Sequence, residues 1–286
     1  MKKMLMVLCL LILTAGTGHA MSCDDFRCPL NPYENSFSLS NITGVNFLAE
    51  RIGNSIIKKA ILKESQGKYK VNLQSYNMGA LKKGIFRSLE INGSDTVTDG
   101  IYISKVKFKT ICDYNYIEID NRLKTATFQE PFGMAYAFSL NQVDLNKTMQ
   151  SNSYKEMIRK INNIGNTSKI FNVSSTSAKI ENNKLYFTFR AAVPLLKMKQ
   201  DITLETGIKA RNGKIILNDT KLVTNSFKLD MSKLEKLINY LNPLEFSLGV
   251  FDSEYAATKV EEITIKDNTI NISGIVVIEE GTVTDI

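Results

Sequence analysis

The stretch over residues 79–111, GALKKGIFRSLEINGSDTVTDGIYISKVKFKTI, limits what this chain can fold into more than any other. A small, basic turn, Gly79-Ala80-Leu81-Lys82-Lys83-Gly84, opens it, and a strand-like run follows over 85–91. Asn92-Gly93-Ser94-Asp95 and Asp99-Gly100 read as two polar breaks. Ile101, Ile103, Lys105, Lys107 and Lys109 then alternate with Tyr102, Val106 and Phe108. Period-two alternation with a basic face is the pattern of a strand buried on an apolar side and wet on the other. The rest of the chain must supply the sheet that such a strand joins.

Strand-turn-strand units recur further on. Ile180-Glu181-Asn182-Asn183-Lys184-Leu185 echoes Ile265-Lys266-Asp267-Asn268-Thr269-Ile270, and Arg211-Asn212-Gly213-Lys214 carries the Asn-Gly dipeptide that accepts positive φ at both central turn positions. These three hairpins predict a long antiparallel sheet. Tyr116 to Asp120 and Thr125 to Phe128 read as further strands within a β-rich region running from Lys68 to about Val143.

Three helices interrupt the strands. Leu48, Ile52 and Ile56 form an apolar stripe at i, i+4 and i+8, with Lys58 and Lys59 on the other side; this predicts an amphipathic helix over 44–63 that packs on the sheet. Ser153-Tyr154-Lys155-Glu156 has capping-box form ahead of Met157, Ile158, Ile161 and Ile164. Ser232 to Glu235 repeats that form, with Met231, Leu234, Leu237, Ile238 and Leu241 on one face and Asn242-Pro243 as the stop.

The first twenty residues read as a secretory leader: Lys2 and Lys3, an apolar run from Leu5 to Leu13, and Gly18-His19-Ala20 before the cut. Residues 21–43 read as a polar, turn-rich arm, and 44–286 as a single α+β domain without a Gly/Ser-rich linker. Removing the leader lowers the formal charge from +7 to +5. That modest, lysine-rich excess suits diffuse attraction to anionic surfaces better than bidentate phosphate reading, and no Arg-rich stripe points to nucleic acid. An exported chain belongs outside the cytoplasm, in the periplasm or another extracytoplasmic space.

The chain's one histidine, His19, falls in the leader, which excludes Ser-His and Cys-His catalysis and imidazole metal sites from the mature protein. Ser55–Lys58, Ser65–Lys68 and Ser104–Lys107 have the Ser-x-x-Lys spacing of lysine-assisted acylases, but no Lys-Thr-Gly partner accompanies them. Glu118 with Asp120, and Asp95 with Asp99, read as solvated strand and loop charges, and the absence of tryptophan argues against a sugar cleft. No catalytic residue, metal ligand or cofactor is expected. Of the cysteines that remain, Cys23 and Cys28 are close enough to close a small loop, and a bridge from the arm to Cys112 is the alternative.

The run Ile85-Phe86-Arg87-Ser88-Leu89-Glu90-Ile91-Asn92-Gly93 after Gly84, followed by Asp99-Gly100-Ile101-Tyr102-Ile103-Ser104, resembles the LmeA-like phospholipid-binding family of bacterial envelope proteins. Asn242-Pro243 and the segment from Val260 to Asn268 resemble that family's closing part. The resemblance implies a long curved antiparallel sheet wrapped around amphipathic helices, a tubular lipid-binding architecture. It also implies non-catalytic binding of a phospholipid or similar amphiphile for envelope transport or maintenance, with the membrane surface as a further partner.

On that reading Leu48, Ile52 and Ile56 line a groove from the helix side, and Phe86, Leu89, Ile101 and Ile103 line it from the sheet. Acyl chains suit such a groove because each buried CH₂ is worth about 0.8 kcal/mol. Lys82, Lys83 and Arg87 then meet the head group. The competing reading is a structural or interaction module of the envelope, in which the same apolar residues form a closed core and a protein is the partner.

Overall fold

The computed structural model describes residues 22–33, 45–120, 122–163, 172–193, 198–223, 242, 244 and 256–285. The expected leader and the expected helix from Met231 to Leu241 lie outside them. Helix α1 (Val45–Glu64) leads into β1 (Ser65–Gln74). A short helix α2 (Met78–Lys82) precedes β2 (Ile85–Phe86), β3 (Ser88–Thr98), β4 (Ile101–Thr110), β5 (Asn115–Asp120), β6 (Thr125–Phe128) and β7 (Phe132–Asn141). Helices α3 (Gln142–Gln150) and α4 (Asn152–Asn163) follow. The chain continues through β8 (Asn172–Glu181), β9 (Lys184–Val193), β10 (Met198–Arg211), β11 (Lys214–Leu222), β12 (Ala256–Lys266), β13 (Thr269–Ile278) and β14 (Val283–Asp285).

The strands make three sheets, with orders β1-β3-β4-β7-β13-β12, β11-β10-β9-β8 and β14-β6-β5-β2, and every pairing among the described residues is antiparallel. This is a sheet-rich α+β fold. The three expected hairpins form, but two of them (β8–β9 and β10–β11) build the four-stranded sheet and the third (β12–β13) joins the six-stranded one. Their turns explain them: Asn182 and Asn183, Asn212 and Gly213, and Asp267 and Asn268 all hold φ between 51° and 74°, as does the general class of two-residue turns matched to strand twist.

The polar break at Asn92-Gly93-Ser94-Asp95 does not end a strand. β3 runs through it, and the extra residue is absorbed as a bulge opposite Gly67, with Asp95 at φ 53°. The bulge also shifts the phase of β4. Its burial skips a step between Ile103 and Val106, so Ile101 and Ile103, which strict alternation places with the lysines, are buried.

One face of the six-stranded sheet is apolar along whole rungs. Tyr69, Gly93, Val106, Phe138, Ile272 and Ile263 lie across it in register, and Val71, Ile91, Phe108, Tyr136, Gly274 and Val260 form the next rung. The two glycines face tyrosines directly, and each ring fills the space a side chain would need. A Cβ on Gly93 would meet Tyr69 at 2.8 Å, and one on Gly274 would meet the Tyr136 ring at 2.8 Å. These residues share one contiguous core with Phe187, Phe189, Ile202 and Leu204 of the four-stranded sheet and with Leu145 and Tyr154 of the helices.

The helices sit where sheets would otherwise expose unpaired backbone, a known aggregation hazard. On α1, Asn54 Oδ1 accepts from the Leu73 N–H at 2.7 Å and a Glu50 oxygen accepts from the Ser75 N–H at 2.7 Å, covering the free side of β1. On α3, Asn146 both donates to the Ala178 carbonyl (2.8 Å) and accepts from the Ala178 N–H (3.0 Å). Asn162 on α4 does the same for Val173, at 2.8 and 2.9 Å, and Gln142 accepts from the Ile180 N–H at 3.0 Å. Side-chain amides thus stand in for the missing neighbour of β8.

Candidate functional site: an apolar helix face beside a lysine-floored groove

Helix α1 packs with the opposite face to the one its Leu/Ile stripe predicts. Ala49, Ala60 and Ile61 are buried and Ile57 is half-buried against the core. Gly53 lies so close to β1 that a Cβ there would stand 2.7 Å from a Leu73 methyl. Small residues let the helix approach the strand closely enough for Asn54 and Glu50 to reach its backbone. Leu48, Ile52 and Ile56 are consequently turned outward, 57%, 62% and 61% exposed, with Phe47 at 64% beside them.

The outward face of α1 is divided along its length. Towards its start it carries Phe47, Leu48, Ile52 and Ile56 with Arg51 among them; its last two turns carry Leu62 and Lys63 with Lys58 and Lys59, which are exposed on this outward side and not opposite the Leu/Ile stripe as expected. α1 runs antiparallel to β1, so its last turns lie against the start of that strand, where a groove of about 800 Å³ opens. Lys58 and Leu62 form one wall and the outer face of the six-stranded sheet forms the floor.

Two rungs pave that floor: Lys68–Ser94–Lys105–Ser139 and Lys70–Asn92–Lys107–Ala137. Strands spaced ~4.8 Å apart put Lys68 and Lys105 roughly 10 Å from one another, and two residues along a strand span roughly 7 Å. Four lysines therefore stand at the corners of a patch of that size, with the short side chains Ser94 and Asn92 keeping its middle low. No Asp or Glu lines the groove among the described residues. Lys107 pairs with Glu90 at 3.0 Å and Lys68 with Asp95 at 3.6 Å, both from outside the lining. Lys58, Lys70 and Lys105 have no ion-pair partner among the described residues. The hydrogen bonds from Lys107 and Asn92 hold the Glu90 carboxyl below its ordinary range.

The residues that sequence reasoning gathered into one groove are separated here. Phe86, Leu89, Ile101 and Ile103 are all buried in the core, whereas Leu48, Ile52 and Ile56 face outward. Phe86 stacks edge-on with Phe132 near the small third sheet, while Ile101 lies at the other end of the long sheet, where Tyr102 N–H donates to Thr148 of α3. Lys82, Lys83 and Arg87 are exposed around α2, which contacts α1, and none of them lines the lysine-floored groove. Basic groups therefore sit on α2 as well as on the groove.

The bridge also differs from the short-loop expectation. Cys28 joins Cys112, with Cα atoms 5.5 Å apart, and Cys23 stays a thiol. The arm directs this pairing: Cys23 lies along β12, donating to the Ala257 carbonyl at 3.3 Å, while Tyr33 stacks on Tyr76 with ring centroids 4.7 Å apart. Cys28, between these two anchors, falls beside Cys112. Burial pushes the Cys23 thiol pKa up, which disfavours the reactive thiolate.

Sequence reading missed the lysine floor as a unit. Lys105 and Lys107 were legible as one strand's wet face, but Lys68 and Lys70 join them only through the β1–β3–β4 register. Helix α3 was missed as well, because its Asn141–Asp144 capping box lies inside what reads as the end of a strand. Compared with known protein families, curated proteins and solved structures, the chain matches none.

Proposed function

We propose that this chain is an exported, non-catalytic protein that binds a phospholipid or similar amphiphile in the cell envelope, for lipid transport or maintenance. The observation that carries the reading is the outward apolar face of α1, where Phe47, Leu48, Ile52 and Ile56, each more than half exposed, lie together on one helix. A contiguous exposed apolar surface marks a binding site more often than isolated exposed residues do. The resemblance of residues 85–104 and 260–268 to the LmeA-like family points the same way, and with it comes the wrapped, tubular arrangement of sheet and helices. The acyl chain meets the helix surface in this reading, because Phe86, Leu89, Ile101 and Ile103 are committed to the core.

The test is native mass spectrometry of the protein purified without detergent, followed by organic extraction. A stoichiometric adduct of phospholipid mass, lost in the Ile52→Ser/Ile56→Ser variant, is the expected result. A clean apo mass with no uptake from added vesicles would overturn the reading. The closed core would then favour the structural or interaction module, with a protein partner on the same helix face.

A further inference from the structure

We propose that the lysine-floored groove and the outward face of α1 form one bilayer-docking surface, in which the groove seats phosphates of anionic phospholipids and the Phe47, Leu48, Ile52 and Ile56 side chains of α1 enter the interface. This rests on the amphiphile-binding reading and adds to it the head-group charge and the seat that selects it. Charge complementarity is the first argument. Lys58, Lys68, Lys70, Lys105 and Lys107 converge on a groove with no acidic lining among the described residues, and Lys58, Lys70 and Lys105 are left without an ion pair there. Like charges held ~7–10 Å apart by sheet geometry repel one another; Glu90 and Asp95 offset part of that repulsion at Lys107 and Lys68, and a bound anion relieves the rest.

Continuity with the helix is the second argument. Lys58 and Leu62, which wall the groove, belong to the same outward face of α1 as Leu48, Ile52 and Ile56. Interfacial helices combine an apolar face with basic residues in this way, and their binding adds buried apolar area to attraction for anionic lipid. The composition of the groove decides against a nucleic acid. Its cations are all lysine, and Tyr69, the one aromatic residue in its lining, is turned into the core and 7% exposed, so it offers no stacking platform.

Vesicle co-sedimentation tests the proposal, with phosphatidylcholine vesicles and with vesicles containing phosphatidylglycerol, at low and high salt. The protein should prefer the anionic vesicles and lose that preference in high salt. A lysine near an anionic surface is worth about a five-fold change in partitioning, so Lys70→Gln/Lys105→Gln should weaken anionic binding about 30-fold. Lys214→Gln/Lys266→Gln, an equal charge change outside the groove, serves as the control and should weaken it only a few-fold. Equal losses in the two double variants, or none in the first, overturn the docking site while an extracted lipid adduct keeps the amphiphile reading. Displacement of vesicles by inorganic phosphate or single-stranded DNA at equal phosphate concentration overturns the bilayer as occupant. Absence of both vesicle binding and adduct overturns this inference and the amphiphile reading together.

Discussion

Breaking the bridge between exposed Cys28 and buried Cys112 should be among the more damaging conservative changes available in this protein. The two cysteines are 84 residues apart in sequence, so the bridge closes a long loop in the unfolded chain. In the chain-entropy account, closing a loop of that length removes about 15 cal/mol/K from the unfolded state, or about 4.5 kcal/mol at 25 °C. A bridge between Cys23 and Cys28 would close a loop of five residues and be worth only about 2 kcal/mol on the same account. Urea denaturation of Cys28→Ser/Cys112→Ser should therefore show a loss near the larger figure, while Cys23→Ser, which gives up one weak thiol hydrogen bond, should stay within about 1 kcal/mol of the parent. If Cys23→Ser proved as damaging as the double variant, or if the double variant lost less than about 1 kcal/mol, the reasoning would fail. Peptide mapping under non-reducing conditions reads the same pairing without any appeal to stability.

Other consequences follow from packing and charge. Gly274→Ala should destabilise by about 3 kcal/mol in urea titration, because the new methyl lands on the Lys259 carbonyl and the Tyr136 hydroxyl inside a closed rung; a loss under about 1 kcal/mol would mean the rung opens easily. Asn162→Ala removes both partners of the buried Val173 backbone and should cost on the order of 3 kcal/mol, with faster amide exchange along β8. Ile52→Ser/Ile56→Ser, by contrast, should leave thermal unfolding within about 1 kcal/mol of the parent, because both side chains already face outward. The Asp201 carboxyl, held below its ordinary range by the Arg190 guanidinium at 2.7 and 2.8 Å, stabilises the fold above the unfolded carboxylate pKa, and that contribution disappears as pH falls through the lower folded value. Asp201→Asn should flatten the acid limb of a stability-versus-pH curve, and an unchanged limb would show that the pair contributes nothing.

The strands were legible because their signals are local. Asn212-Gly213 and Asp267-Asn268 announce hairpins whatever surrounds them, and the wet face of Lys105, Lys107 and Lys109 announces a strand. What those hairpins pair with is another matter. β7, from the first half, inserts between β4 and β13, so the six-stranded sheet is stitched from both halves, and no short-range pattern encodes that choice. The bulge at Asp95 was opaque for a similar reason: Asn-Gly-Ser-Asp is turn chemistry, and only pairing with β1 on one side and β4 on the other holds it in a strand.

The orientation of α1 was the costliest thing to misread, and the reason is physical. The helix has two apolar faces, one of large side chains (Leu48, Ile52, Ile56) and one of mostly small ones (Ala49, Gly53, Ala60) with Ile57 and Ile61. Hydrophobicity alone favours burying the large face, since the burial of each large aliphatic side chain is worth about 1.5–3 kcal/mol. Two constraints oppose it. The free edge of β1 needs hydrogen-bond partners, and Asn54 and Glu50, which supply them, lie on the small-residue side. A helix close enough to reach a strand backbone with an asparagine must also present glycine or alanine to it, as Gly53 does to Leu73. Both constraints are met only with the large face outward. A half-turn of the helix would bury those three aliphatic side chains but expose Ile57, Ile61, Ala49 and Ala60, so the observed packing stands against a net penalty of at most about one large aliphatic side chain, roughly 1.5–3 kcal/mol. That penalty is recovered when an apolar ligand or a membrane interface covers the face, which is why the packing of α1, more than any motif in the chain, directs the functional reading to its outer side.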